Sequence, residues 1–230
     1  AILSPAGIPT EVIDQKALQS AEPSMQSDHL LGAAYAIEGM LDPLKFSLAY
    51  ANAARRHGAV ILGRSKVTGF DVKNNRIVAV KTRTGSFTAD KIAVMAGAWT
   101  SKVTELAGVQ VPVLHTHAEA LVTEKIAPIV HNNIELADFY ETIHGKKRAV
   151  AIGIHPQPNG TLDISEAVTA TDQLHKGLSA WGITKMCSEL VSLFPTLADV
   201  KIVRTWGRPT SFTPDEEPLI GWVPNLENLF

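Results

Sequence analysis

The chain has 230 residues, of which 45% are apolar and 19% charged, the make-up of a soluble globular protein able to bury one sizeable core or two smaller ones. Lys plus Arg total 21 against 23 for Asp plus Glu, a formal charge of -2 with no block of like charge, so no nucleic-acid or anionic-membrane surface is expected. The longest apolar runs, such as residues 59–62, are far too short to span a bilayer, and the single cysteine, Cys187, excludes an intrachain disulfide framework.

A lone cysteine suits a reducing compartment, and with no signal-like start the expected location is cytoplasmic. The first residue is Ala1 rather than Met, and residues 226–230 are still apolar-rich, so both ends read as cut from a longer chain.

Residues 1–35 form an opening segment punctuated by Pro and Gly, with a short helix around Ala17-Leu18 that ends at the Glu22-Pro23 step. Asp42 as a cap, Pro43 in the first turn, and Leu44, Leu48 and Ala51 on one face predict an amphipathic helix over 43–57 that Gly58 ends. Residues 59–62 predict a short apolar strand, and Val67 to Val72 continue as extended chain. Asn74-Asn75 supplies a tight turn, residues 76–82 alternate as a half-buried strand, Thr84-Gly85 turns again, and 87–89 run back. This is a β-meander. The run Ile92-Ala93-Val94-Met95 is apolar throughout and predicts a strand buried on both faces, leading through Ala96-Gly97-Ala98 into a helical stretch over 101–106.

From Val109 to Arg208 the texture changes to short strands over 120–123, 149–154 and 161–164, the last two joined by a turn containing Pro and Gly. One long helix interrupts them. It is predicted to open at Thr171 or Asp172, to present Ile183, Met186, Leu190 and Phe194 on one face, and to stop at Pro195.

Five of the eight histidines, His115, His117, His131, His144 and His155, fall within 115–155, but no His-Glu-x-x-His or paired-cysteine pattern accompanies them, and no metal site is expected. Residues 58–65 read Gly-x-x-x-x-Gly-Arg-Ser, one substitution from a phosphate-binding loop; the lysine is missing and the interior suits a strand. Asn159-Gly160-Thr161 reads as a turn, and Cys187, mid-helix among apolar neighbours, as a small buried hydrophobe.

Two stretches go beyond generic pattern. One runs from Gly39-Met40-Leu41-Asp42-Pro43 through Gly58-Ala59, Val67 and Thr84-Gly85 to Ala89-Asp90-Lys91-Ile92-Ala93-Val94-Met95-Ala96-Gly97-Ala98-Trp99. The other is Arg204-Thr205-Trp206 followed by Phe212-Thr213-Pro214-Asp215-Glu216-Glu217-Pro218-Leu219-Ile220-Gly221. Val111-Pro112 with Leu121-Val122-Thr123-Glu124 lies between them. In this order the sequence resembles the FAD-dependent family of D-amino-acid, glycine and sarcosine oxidases and dye-linked amino-acid dehydrogenases.

The resemblance implies a mixed α+β and α/β fold: a partial FAD-binding Rossmann-like domain carrying the β-meander, beside an antiparallel-sheet substrate domain with flanking helices. It implies that 1–35 belong with the substrate domain, 36–108 are the middle of the FAD-binding domain, 109–205 the substrate-binding domain, and 206–230 the start of the return to the FAD-binding domain. Small residues at a strand-to-helix corner let the backbone approach a dinucleotide closely, so Ala96, Gly97, Ala98 and Trp99, with Val67 beside the adenine, are the implied cofactor-binding positions. The family's opening Gly-x-Gly-x-x-Gly fingerprint does not occur in the sequence, so the chain reads as the interior of a larger enzyme, with FAD binding by this piece alone in doubt.

The implied reaction is hydride removal from a carbon bearing an amine, onto flavin, with an arginine holding the substrate carboxylate. Counting back from Asp215, the position of the family's carboxylate-binding arginine holds Thr210, while Arg208 stands two residues earlier and shares its face in an extended segment. Arg208 is therefore the candidate clamp, Thr210 and His155 are further candidate substrate contacts, and Arg204 reads as structural. D-amino acids, N-methyl glycine, proline-like imino acids and opine-type secondary amines all fit. Other parts or subunits of the parent enzyme are the expected partners, and a non-catalytic subunit derived from the family is the alternative.

Overall fold

Asp14 accepts a hydrogen bond from the Ala17 N–H at 2.8 Å and thereby caps a short helix, α1 (Gln15–Ala21), set between the antiparallel strands β1 (Thr10–Asp14) and β2 (Gly32–Ala36). The computed structural model describes residues 7–37, 39–136, 148–171, 173–215 and 217–230; His144, Asp172 and Glu216, named above, lie outside the described residues. The chain forms two compact units, Ala1–Ile37 with Leu114–Phe212, and Glu38–Val113 with Thr213–Phe230.

In the second unit, Asp42 accepts from the Leu44 and Lys45 N–H groups at 3.0 Å and opens α2 (Pro43–Arg56), as its proline and cap residues dictate. None of its residues is fully buried, and Leu44, Phe46, Leu48 and Tyr50 are exposed. The meander follows as β3 (Val67–Lys73), β4 (Arg76–Thr82) and β5 (Gly85–Phe87), with Asn74 and Asn75 both at positive φ, 49° and 58°, as a two-residue hairpin turn requires. After a single tight turn over Gly97–Trp99 comes α3 (Thr100–Glu105). Ile77, Leu226 and Leu229 form the buried centre of this unit, joined by the half-buried Phe70, Val80, Ile92 and Val94.

Two expectations fail here. Residues 59–62 form no strand: no described strand pairs with them, and Val60 is 80% exposed. Residues 92–95 are not buried on both faces. Ile92 bridges Leu229 in parallel, with the Ile92 N–H donating to Asn228 and the Val94 N–H to Phe230, so one side is covered while Met95 is 85% exposed. A run of apolar residues records a need for burial but not the partner that meets it.

The first unit is built on β6 (Leu114–Thr123), β7 (Ile134–Glu135), β8 (Arg148–Pro156), β9 (Leu162–Ala170) and β10 (Ile202–Phe212), an antiparallel sheet in the order β10-β6-β9-β8-β7. One face is covered by α4 (Ala180–Leu193), whose Met186, Leu190 and Leu193 meet Leu121, Ile152, Ile154 and Ile164. Each such side chain contributes about 1.5–3 kcal/mol when fully buried. Phe194 and Pro195 end the helix as expected. Its start is later than expected: β9 runs on to Ala170, and Ser179 caps the helix by accepting from the Gly182 N–H at 3.0 Å.

β10 runs from Ile202 to Phe212 along β6, with one irregularity in register between Ile202 and Arg204 and regular pairing from there to Phe212. Residues 206–212 thus stay with the first unit, whereas the sequence reading ended that region at 205. The continuous strand is what carries Arg208 onto the sheet.

Candidate functional site

Residues on a strand alternate between faces, and directly opposed residues on antiparallel neighbours share one. Leu121, Ile164 and Ala167 point to the face under α4. The covered face is crowded. Glu119 accepts from the Ser179 N–H at 3.0 and 3.1 Å, His117 Nε2 lies 2.7 Å from the Gly177 carbonyl, and the His117 ring stacks on His175 with centroids 3.9 Å apart. Gly207 is buried under this segment, where a Cβ would collide with the Gly177 carbonyl.

The opposite face takes the alternate residues. Arg208 pairs with Ala118, Trp206 with Ala120 and Arg204 with Val122 on the β10–β6 edge, and Asp163 pairs with both Val122 and His155. The small side chains of Ala118 and Ala120 leave a hollow of about 160 Å³ between the larger ones, lined by His155, Asp163, Ser165, Glu166, Trp206 and Arg208 among others. A cavity of roughly 150 Å³ holds a molecule of benzene's size, so the pocket suits a ligand of about six to eight non-hydrogen atoms.

Glu166 reaches this pocket through a break in the strand's alternation. Ala167 pairs with Glu119 and Ile164 with Leu121, so Ser165 and Glu166 together oppose the single residue Ala120. This is a β-bulge, a feature that re-aims a side chain. Burial pushes the Glu166 carboxyl above its ordinary range, with the charge of Arg208 acting in the opposite sense and that of Glu135 adding to the rise. Asp163 is likewise raised by burial, against the opposing charges of His155 and Arg204, and it accepts from Gln157 Nε2 at 3.0 Å. His155 Nε2 lies 3.4 Å from Ser165 Oγ, a contact that the missing Cβ of Gly153 makes room for. Arg204 stands over the Trp206 ring at 5.5 Å.

Of the residues singled out from sequence, Arg208 and His155 line one pocket. Thr210 lies on the same face beyond Arg208, opposite Thr116, and is not a lining residue; its buried Oγ1 has no hydrogen-bond partner. Asp163, Glu166 and Trp206 were missed. Cys187 is half-buried on α4 against the core, and burial pushes its thiol up. Among the described residues no group of three His, Cys, Asp or Glu side chains is placed to hold a metal ion.

In the second unit, Gly97 adopts φ +53°, and a Cβ there would meet nothing within 4 Å. The corner is open, so a bound group can approach its backbone. Ala96 is half-buried beside it, Ala98 turns inward, and Trp99 is 42% exposed. Val67 begins β3 opposite Thr82 and is half-buried.

The family described as FAD dependent oxidoreductase, DAO, matches the chain over residues 2–230. The chain belongs to the DAO family. The mitochondrial sarcosine dehydrogenase of Mus musculus is 30% identical over 233 residues, covering 97% of this chain and 25% of that protein. Sarcosine oxidase subunit beta of Arthrobacter sp is 28% identical over 182 residues, covering 79% of this chain and 42% of that protein. The crystal structure of L-proline dehydrogenase from P. horikoshii shares the fold, with a TM-score of 0.86 at 21% identity over 98% of this chain and 59% of that one. This DAO chain thus spans between a quarter and half the length of these two curated relatives. No helix among the described residues is long and apolar enough to cross a membrane.

Proposed function

We propose that the whole protein to which these residues belong oxidises the CH–NH bond of a small amino acid or secondary amine. The observation that carries the reading is Arg208 in a pocket of amino-acid size on the face of the sheet opposite α4. Its guanidinium forms no ion pair among the described residues and is available to a carboxylate, for which it offers a two-pronged fit. His155 and Trp206 shape the walls beside it. Thr210, beyond the lining, sets the end of the face.

FAD, when bound, supplies the two-electron acceptor. This chain's contribution to holding it is the open backbone at Ala96 and Gly97, with Ala98 fixing the turn from inside and Trp99 and Val67 as flanking surfaces. Oxidation of the C–N bond leaves an imine, which water hydrolyses to the carbonyl product and amine. The protein's own task is to fix the carboxylate so that the reacting carbon has one orientation. Partners follow from relatives: one is named as a subunit of sarcosine oxidase, and we infer that further polypeptide, in the same chain or another, completes the enzyme. The lone cysteine suits the cytoplasm.

The test is Arg208→Ala in the full-length, FAD-loaded enzyme. KM for the amino-acid substrate rises by about 10- to 100-fold or more, as loss of a charge-assisted bidentate contact predicts, with Arg208→Lys intermediate. An unchanged KM removes Arg208 from the carboxylate role.

A further inference from the structure

Five ionisable side chains line the pocket opposite α4: Glu119, His155, Asp163, Glu166 and Arg208. Four of them are committed. Both oxygens of Glu119 accept from the Ser179 N–H on the α4 side of the sheet, and Asp163 accepts from Gln157 at 3.0 Å. The charge of Arg208 acts on Glu166, against burial and the charge of Glu135, and the guanidinium itself has no proton-accepting site. His155 is different. Its Nε2 lies 3.4 Å from Ser165 Oγ, a long contact that a ligand can replace, and a neutral imidazole always keeps one nitrogen able to accept.

Strand pairing places His155 and Arg208 at opposite ends of the hollow. His155 pairs with Asp163, Asp163 with Val122 and Val122 with Arg204, so His155 is level with a residue four positions before Arg208 and three strands away from it. At the backbone this is about 13 Å along the strands and about 14 Å across them. Two side chains as long as arginine and histidine, both reaching the same hollow, leave a gap of small-molecule size between their polar ends.

An alkylammonium group, which titrates near about 10, has its nitrogen electron pair tied up in an N–H bond, and no C=N bond forms until that pair is released. A proton must leave first. We propose that His155 is the acid–base residue of this site and accepts the proton from the ammonium nitrogen of a substrate whose carboxylate Arg208 holds. The N–H bond breaks, its electron pair stays on the nitrogen, and the proton is bound by the open imidazole nitrogen; the step consumes no oxidant or reductant. The resulting imidazolium is faced by Asp163, its cross-strand partner, whose charge interacts with it, and by the Ser165 hydroxyl. Counting Glu119, Glu166 and the nearby Glu135 with Asp163, four carboxyl groups stand against the guanidinium groups of Arg208 and Arg204, a balance that favours the charged ring. The inference rests on the amine-oxidation reading given above and assigns its proton step.

The test uses the full-length, FAD-loaded protein, with N-methylglycine, glycine and L-proline as substrates and 2,2-dimethylpropanoate as a carboxylate without an amine. His155→Asn lowers kcat for the fastest substrate about 100-fold or more at pH 7, within the range of general-base effects, with KM changed less than about 3-fold. At pH 10, where water already supplies free amine, the loss shrinks to about 10-fold or less. Calorimetry reads a Kd for 2,2-dimethylpropanoate within about 2-fold of the unmodified protein, which shows the variant folded and the Arg208 end intact. A loss of kcat equal at both pH values, or no loss, overturns the proton-acceptor assignment and leaves the carboxylate reading standing. A Kd for 2,2-dimethylpropanoate indifferent to Arg208→Ala, or turnover of none of the three substrates, overturns both. If His155→Asn does not fold, His155→Gln reads the same pH dependence, and a loss independent of pH there counts against the proposal.

Discussion

The side chain of Asn228 stands in for a β-strand against Ile77: Oδ1 accepts from the Ile77 N–H and Nδ2 donates to the Ile77 carbonyl, both at 2.9 Å, between residues 151 apart in sequence. Both are almost fully buried. Backbone groups in a core must find partners, and here one amide satisfies a donor and an acceptor together.

Asn228→Leu leaves both Ile77 groups unsatisfied and is expected to destabilise the second unit by about 2–4 kcal/mol. Asn228→Asp keeps one acceptor and places a carboxylate against a carbonyl, with a cost of the same order. Urea denaturation followed by tryptophan fluorescence checks this, since Trp222 and Trp99 belong to that unit. A midpoint unchanged in either variant contradicts it.

Gly182→Ala tests the close approach of α4 to β6. A Cβ at this position would lie 2.6 Å from Glu119 Oε2 and 3.0 Å from both Ala167 Cβ and Ser179 Oγ. Overpacking of this kind costs about 1–3 kcal/mol despite the better helix propensity of alanine. The melting temperature should drop, and because Glu119 also lines the Arg208 pocket, ligand affinity there should change only as far as Glu119 is displaced. An unchanged melting temperature contradicts the close approach.

Stability should also depend on pH through Glu166 and Asp163. A carboxyl raised in the folded state holds its proton longer there than in the unfolded chain, so its contribution is fully present below the ordinary carboxylate pKa. It is lost as pH rises through the raised value. Glu166→Gln removes this loss and is expected to raise the melting temperature at neutral pH, where about 1 kcal/mol corresponds to roughly 2–4 °C in a chain of this size. The gain should vanish at pH 3. A variant that melts lower than the parent at both values contradicts the sign.

Gly97→Val closes the corner and forces a β-branched residue into φ +53°. In the full-length enzyme, FAD affinity by flavin-fluorescence titration should fall by about 10-fold or more, with Gly97→Ala intermediate. The 230-residue chain alone, without a Gly-x-Gly-x-x-Gly segment, is expected to purify colourless. Retained yellow flavin in that preparation, or unaltered affinity in the valine variant, counts against this assignment of the corner.

The local grammar of the fold was legible because the residues carry their own geometry. Asn74-Asn75 supplies the positive φ of a hairpin, and Asp42-Pro43 meets the free N–H groups of a helix start, whereas the Ser179 cap of α4 was passed over for Thr171 or Asp172, since several polar residues offer the same capping oxygen. Residues 59–62 misled because apolar character does not name its partner. Arg208 and His155 were found from the resemblance and from alternation. Asp163, Glu166 and Trp206 were not, because they come together only through strand order. One signal did exist: the inward residues run Leu162, Ile164, then Ala167, a step of three in a pattern of two, which is the mark of an inserted residue.

That inserted residue separates two obligations that a regular strand would join. Positions 164 and 167 answer to the interior and tolerate little change, while position 166 answers only to whatever occupies the hollow. A change confined to residue 166 therefore alters the wall of the hollow while leaving the packing of Ile164 and Ala167 beneath α4 in place.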